Sequence, residues 1–233
     1  RRVQFTLDDA KRFTSKAWAK KRVDDIKNAN LSNLTDIPDS YTALLGHTTH
    51  LTVADKNGMV VALTQTIGTT MGSKVATPGL GFMYAQTLGG YLGEIKPGVR
   101  APSHISPIIV SREGKPFLAL GAAGGSRIPS SIVAVISRVI DQNFSLADAM
   151  ALPRVHPTTD NMEIEAISTN ASTYNEDYVY SLKDTLFFIQ LGHSMKLREG
   201  KANFGRVYAI MREGNDWVAV SDPDWQGSSG AVK

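Results

Sequence analysis

Residues 48–58 read Thr48-Thr49-His50-Leu51-Thr52-Val53-Ala54-Asp55-Lys56-Asn57-Gly58. Thr49, Leu51 and Val53 alternate with His50, Thr52 and Ala54, the period of two that marks a strand. Asn-Gly tolerates positive φ, so Asp55 to Gly58 is a tight hairpin turn and residues 59–67 form the returning strand. A buried strand prefers Val, Ile and Leu, yet this hairpin opens on Thr48-Thr49-His50 and returns through Thr64, Gln65 and Thr66, with Thr69 and Thr70 beyond. Threonine is β-branched and common in strands, so composition alone makes this an ordinary hairpin.

Upstream, Phe13, Ala17, Val23 and Ile26 recur at helical spacing with Lys and Arg between them, predicting one helix over residues 7–29. Residues 30–47 are rich in turn formers and form a loop or linker. Downstream, residues 68–100 hold Gly, Thr and Pro, which predicts loop with short strands. Ile108 to Val110 and Pro116 to Leu120 flank a second hairpin turn at Arg112-Glu113-Gly114-Lys115. Residues 121–125 turn into a helix expected over 130–142, and Ser145 caps a short helix that ends before Pro153. A helix over 174–191 stops at Gly192, a short strand covers 195–197, and strands over 207–211 and 217–220 make a third hairpin. Strands joined by short turns imply antiparallel sheet covered by helices, an α+β layered sandwich.

The chain has 233 residues, 42% hydrophobic and 20% charged, enough for one sizeable core. No apolar run approaches the roughly 20 residues of a membrane-spanning helix. There is no cysteine, which excludes disulfides, thiolate metal sites and cysteine nucleophiles. His47, His50, His104, His156 and His193 show no metal-binding spacing, so no metal site is expected. The first 30 residues hold nine Lys/Arg against four Asp, while the remainder is net negative. Such a segment can meet nucleic acid or anionic lipid. The spacing of its charges is that of one solvated helix face, and neither partner is expected. The chain opens Arg1-Arg2 without Met, so it is expected to lack its true N-terminus.

Several motifs together carry more than any one. Thr48 to Gly58 resembles the start of the small subunit of the γ-glutamyltransferase (γ-glutamyl transpeptidase) family. The resemblance continues, in the family's order, through Val61-Ala62-Leu63-Thr64-Gln65-Thr66, Pro78-Gly79-Leu80-Gly81-Phe82 and Pro97-Gly98-Val99-Arg100. It goes on through Ser106-Pro107, Gly124-Gly125-Ser126-Arg127 and Ala151-Leu152-Pro153-Arg154-Val155-His156, and ends near Ser221-Asp222-Pro223. Residues 1–47, with Thr14-Ser15-Lys16-Ala17-Trp18-Ala19, resemble the last part of the family's large subunit, and residues 48–233 its catalytic small subunit.

The resemblance implies an N-terminal-nucleophile hydrolase, an αββα four-layer sandwich whose precursor cuts itself between His47 and Thr48. It implies Thr48 as nucleophile, Thr66 as the hydroxyl that bonds to it, and Gly124 and Gly125 as the oxyanion pair. A cut before Thr48 frees an α-amine that can take the hydroxyl proton. By themselves Gly124 and Gly125 read equally as a tight turn into a helix. They are not a phosphate loop, because no Gly-Lys-Ser/Thr follows. The resemblance also implies γ-glutamyl amides such as glutathione as substrates, no cofactor, a large-subunit partner from the same precursor, and a periplasmic or secreted location. Alone, these residues are expected to leave apolar surface bare.

The chain departs from the family on the substrate side. Gly90 stands where members carry the acid that holds the substrate ammonium, and Gly68 replaces a residue that is usually polar. Of two adjacent serines, Ser103 is kept and His104 replaces the second. A buried ammonium lacking a carboxylate is costly, so an altered acyl specificity is expected, toward an acylase or a γ-linked peptide hydrolase. A non-catalytic homologue that keeps the fold as a binding protein is the competitor. The family's carboxylate-binding Arg belongs to the part of the large subunit outside this sequence, and Arg100, Arg127 and Arg154 are not assigned to that role. Arg127 is expected to make a structural contact. His50, two past Thr48 on the same strand face, either orients the site or is a satisfied core histidine.

Overall fold

A computed structural model describes residues 6–27, 48–87, 97–98, 103–158, 161–165, 182–198, 204–223 and 227–231. The chain forms two units, residues 1–40 and 41–233. In the first, two helices replace the single one expected: α1 (Leu7–Phe13) and α2 (Lys16–Lys27). The cause is side-chain capping. Thr6 and Asp9 close a reciprocal capping box at the start of α1. Thr14 Oγ1 then donates to the Ala10 carbonyl (2.9 Å), and Ser15 Oγ accepts from Trp18 N–H (3.1 Å), so these hydroxyls end one helix and start the next. The linker expected over 30–47 lies outside the described residues.

In the second unit β1 (Thr48–Ala54) and β2 (Val60–Thr66) pair antiparallel around the Asn57-Gly58 turn. The stretch that follows, over 68–87, is loop with isolated bridges at Gly68 and Gln86 and at Ala76 and Met83. Strands β3 (Ile108–Arg112), β4 (Lys115–Ala123), β8 (Arg206–Glu213) and β9 (Asp216–Ser221) form a four-stranded antiparallel sheet in the order β3-β4-β8-β9. β4 runs further than expected because Leu118 to Ala123 is buried on both faces. Leu118, Leu120 and Ala122, with Val207, Ala209 and Met211 of β8, pack against α3 (Ile128–Ile140) and α4 (Leu146–Ala151). On α3, Ile128, Ile132, Val135 and Val139 make the buried stripe that locks it to the sheet. Arg138 donates to the carbonyls of Ala149, Leu152 and Pro153, which ties α3 to the end of α4.

Beyond Leu118 the opposite face of β4 offers the small residues Ala119, Gly121 and Ala123, and the β1–β2 hairpin packs against β4 and β8. The layers are hairpin, four-stranded sheet and helices. The hairpin turns Thr48, His50, Thr52, Thr64 and Thr66 inward. Leu51, Val53, Val61 and Leu63 face outward and are 45%, 54%, 46% and 39% exposed, with Leu51 opposite Leu63 and Val53 opposite Val61. This is bare apolar surface of the kind expected.

Two strands escaped the sequence reading: β5 (Val155–Pro157) and β6 (Met162–Glu165) form a small sheet with β7 (Met195–Arg198). They carry inward glutamates, Glu163 and Glu165, where alternation rules look for apolar side chains. β6 and β7 run parallel, so the antiparallel expectation fails there, because α5 (Leu182–Gln190) and its flanking chain make the crossover. Only residues 182–190 of the helix expected over 174–191 are described as helix.

Candidate active site

Thr48 is the first residue of β1 and lies directly opposite Thr66, the last residue of β2. Its Oγ1 donates to Thr66 Oγ1 at 3.0 Å. Thr66 Oγ1 also accepts the Gly68 N–H at 3.0 Å, which fixes the second hydroxyl from the far side. The hairpin register makes this pairing: a tight turn joins two strands of equal length, so their outer ends meet.

Gly68 is buried with φ +84, and a Cβ there would lie 2.7 Å from the Gln86 carbonyl carbon and closer still to its oxygen. Only glycine fits, and the polar side chain usual at this position has no room. Gly90 lies outside the described residues.

At the end of β4, Gly124 has φ +145 and Gly125 φ +61, and they lead through a 3-10 turn (Gly125–Arg127) into α3. A Cβ on Gly124 would lie 2.7 Å from the Cα of Gly205. The two glycine backbones therefore touch, and the loop keeps its N–H groups next to a helix start with its positive dipole. The 3-10 turn places Arg127 against Glu163, with Nε donating to Oε2 at 3.0 Å, the structural contact expected of it. Arg198 holds the other Glu163 oxygen. Burial raises the Glu163 carboxyl, but the bonds from Arg198 and Arg127 outweigh it and hold the group below the usual carboxylate range.

Ser103 Oγ accepts from its own chain, the Ile105 N–H, at 3.1 Å, and Ser106 Oγ donates to the His104 carbonyl at 3.0 Å. Burial lowers the pKa of His104 and keeps it neutral near pH 7. His156, for which the sequence suggested no role, sits with Nδ1 2.9 Å from Ser130 Oγ. Ser130 Oγ also lies within hydrogen-bond distance of the Arg127 carbonyl, at 3.1 Å. Burial, then Arg127, lowers the pKa of His156.

Arg154 anchors the region behind the Gly124 loop. It donates through Nε to Glu165 (2.7 Å), and through one terminal nitrogen to Asp222 (2.7 Å) and the Gly205 carbonyl (2.6 Å). Its motif was visible in the sequence; its partners, 11, 51 and 68 residues away, were not.

His50 is 5% exposed. Its Nδ1 lies 2.6 Å from Thr64 Oγ1, and its Nε2 is buried without a hydrogen-bond partner among the described residues. One ring nitrogen is thus satisfied and the other is not. Among the described residues no group of three or more His, Asp or Glu side chains could hold a metal, and no helix is long and apolar enough to cross a membrane.

The sequence profile described as gamma-glutamyltranspeptidase matches residues 4–232. The chain belongs to the γ-glutamyltranspeptidase family. A glutathione hydrolase proenzyme of Pseudomonas aeruginosa is 29% identical over 248 residues, covering 98% of this chain and 42% of the relative. An acylase ACY 1 proenzyme of Pseudomonas sp. (strain V22) is 38% identical over 124 residues, 51% of this chain and 22% of that protein. A solved γ-glutamyltranspeptidase of Pseudomonas nitroreducens, complexed with L-DON, superposes with a TM-score of 0.63 at 30% identity, over 79% of this chain and 100% of that one. The chain thus spans less than half the length of these curated relatives. Its fold is the N-terminal-nucleophile hydrolase sandwich of the γ-glutamyltranspeptidases.

Proposed function

We propose that this γ-glutamyltranspeptidase family member is the catalytic part of a self-cleaving amide hydrolase and acyltransferase. The observation that carries it is the 3.0 Å bond between Thr48 Oγ1, on the first residue of its strand, and Thr66 Oγ1. In the precursor, Thr48 Oγ1 attacks the His47 carbonyl; the peptide bond breaks, an ester forms, and water opens it. The division falls between residues 47 and 48. The new α-amine, with a pKa of about 7.7–8.0, is partly neutral near pH 7.5 and accepts the Thr48 hydroxyl proton.

The mature Thr48 then attacks the substrate amide carbonyl. The Gly124 and Gly125 N–H groups face the oxyanion. The amine leaves with the proton, and water or an acceptor amine resolves the Thr48 ester. No cofactor enters. The remainder of the precursor is the partner, and its helices cover Leu51, Val53, Val61 and Leu63 on the outer face of the hairpin.

Relatives named as glutathione hydrolase and acylase support two acyl classes. Gly68, with no space for a side chain, favours the second: acyl groups lacking a charged α-amine. Ser103 and His104 are then the acyl-side contacts, and Gly68 and Gly90 leave the ammonium position empty of charge. A periplasmic or secreted enzyme fits the family.

N-terminal sequencing of the small fragment tests the nucleophile, with Thr48 expected as its first residue. Thr48→Ala is expected to stay uncut and inactive; full turnover in that variant refutes the mechanism. Comparing kcat/KM for a γ-glutamyl anilide and for simple acyl anilides tests specificity. An equal or better value on the γ-glutamyl compound ends the acylase reading.

A further inference from the structure

We infer that His50, through its bond to Thr64 and its packing on Gly121, is a positioning residue that holds the Thr48–Thr66 pair in register over the β4 strand. The inference rests on Thr48 being the nucleophile. Side chains two apart on a strand share a face, so His50 and Thr64 form the rung next to Thr48 and Thr66. The two rungs are built alike. In each, a strand-one side chain meets a strand-two threonine hydroxyl, at 3.0 Å for Thr48 and 2.6 Å for His50.

The second rung reaches further than the first. A Cβ built on Gly121 would lie 2.9 Å from His50 Cγ and closer still to Nδ1 and Cε1, so the imidazole lies directly on the β4 backbone. Three residues along β4 the chain arrives at Gly124. One side chain therefore contacts the strand that carries the nucleophile, the strand that carries its partner hydroxyl and the strand that delivers the glycine pair.

Stability does not account for a histidine here. Its Nε2 is buried with no partner among the described residues, and a leucine would fill the same layer without burying an unsatisfied nitrogen. Nor is it the base for Thr48, since its Nδ1 is engaged by Thr64 and the Thr48 hydroxyl by Thr66. Directional contact is what an imidazole adds over an apolar residue.

The test uses the full-length precursor carrying His50→Leu, His50→Asn, His50→Gln, Thr64→Val or the Leu/Val pair. Asparagine places an amide where Nδ1 lies, and glutamine places one where Nε2 lies. His50→Leu and Thr64→Val are each expected to lower kcat at least about tenfold with KM within about threefold, since displacements of about 1 Å suffice for such losses. The double variant should be no worse than either single one. His50→Asn should recover most of the lost kcat and His50→Gln should not. Wild-type kcat in His50→Leu, or equal recovery by both amides, overturns the inference. If His50→Leu does not fold, Thr64→Val decides, because it keeps the shape and removes only the hydroxyl. Thr48→Ala separates the two levels. If it is active, the nucleophile assignment fails. If it is inactive while Thr64→Val turns over normally, only the role of His50 fails.

Discussion

Arg154→Met removes a guanidinium whose side chain is 3% exposed and keeps nearly the same volume. Three links vanish with it: the double contact to Glu165, with Nε to Oε2 at 2.7 Å and a second nitrogen to Oε1 at 2.8 Å; the contact to Asp222 at 2.7 Å; and the contact to the Gly205 carbonyl at 2.6 Å. The Glu165 and Asp222 side chains stay buried, 8% and 0% exposed, and lose their guanidinium partner. Asp222 keeps the Val207 N–H at 2.9 Å, which offsets only part of the loss. Breaking a buried ion pair from one side costs about 3–5 kcal/mol. At roughly 2–4 °C per kcal/mol for a unit of this size, the melting temperature should fall by about 6–20 °C.

Matched thermal and urea unfolding of wild type, Arg154→Met and the triple variant Arg154→Met/Glu165→Gln/Asp222→Asn would measure this. The triple variant should recover most of the stability, because the carboxylate charges go too. A buried carboxylate without its cation has a raised folded pKa, so the single variant should regain stability relative to wild type from pH 7 toward pH 5. A loss below about 1 kcal/mol, or the absence of that acid recovery, would show that the network is not under electrostatic load.

Gly121→Ala forces a methyl group into the His50 ring, 2.9 Å from Cγ and nearer to two other ring atoms. Overpacking of this kind should cost about 1–3 kcal/mol in urea unfolding, and kcat should fall with it. Burial pushes His50 down to about 4 from 6.5. The unfolded chain then binds the proton first, so this contribution is whole above pH 6.5 and drains away as pH falls toward 4. Its size is at most about 3 kcal/mol. Denaturant midpoints at pH 7 and pH 4.5 should differ accordingly, and His50→Asn should shrink the difference; an unchanged difference would discount the buried histidine.

The sequence by itself determined the three hairpins, the helices after Gly125 and the family, but neither the break between α1 and α2 nor strands β5 and β6. Asn57-Gly58 and Glu113-Gly114 set hairpins through positive φ, at +89 for Gly58, +52 for Glu113 and +77 for Gly114, and Ser145 capped α4 as expected. These are short-range effects, carried by the residue and its neighbours. The motif order from Thr48 to Pro223 was likewise linear information. What only the tertiary structure decided was contact across layers. It showed that Gly121 is glycine because an imidazole 71 residues upstream lies on it, and that Gly68 excludes any side chain because the Gln86 carbonyl comes back over it. It showed too that Glu163 and Glu165 fill buried strand positions because Arg127, Arg198 and Arg154 neutralise them. Such pairings leave no periodic trace, because the energy of a buried charge or a close backbone approach depends on which distant segment arrives beside it.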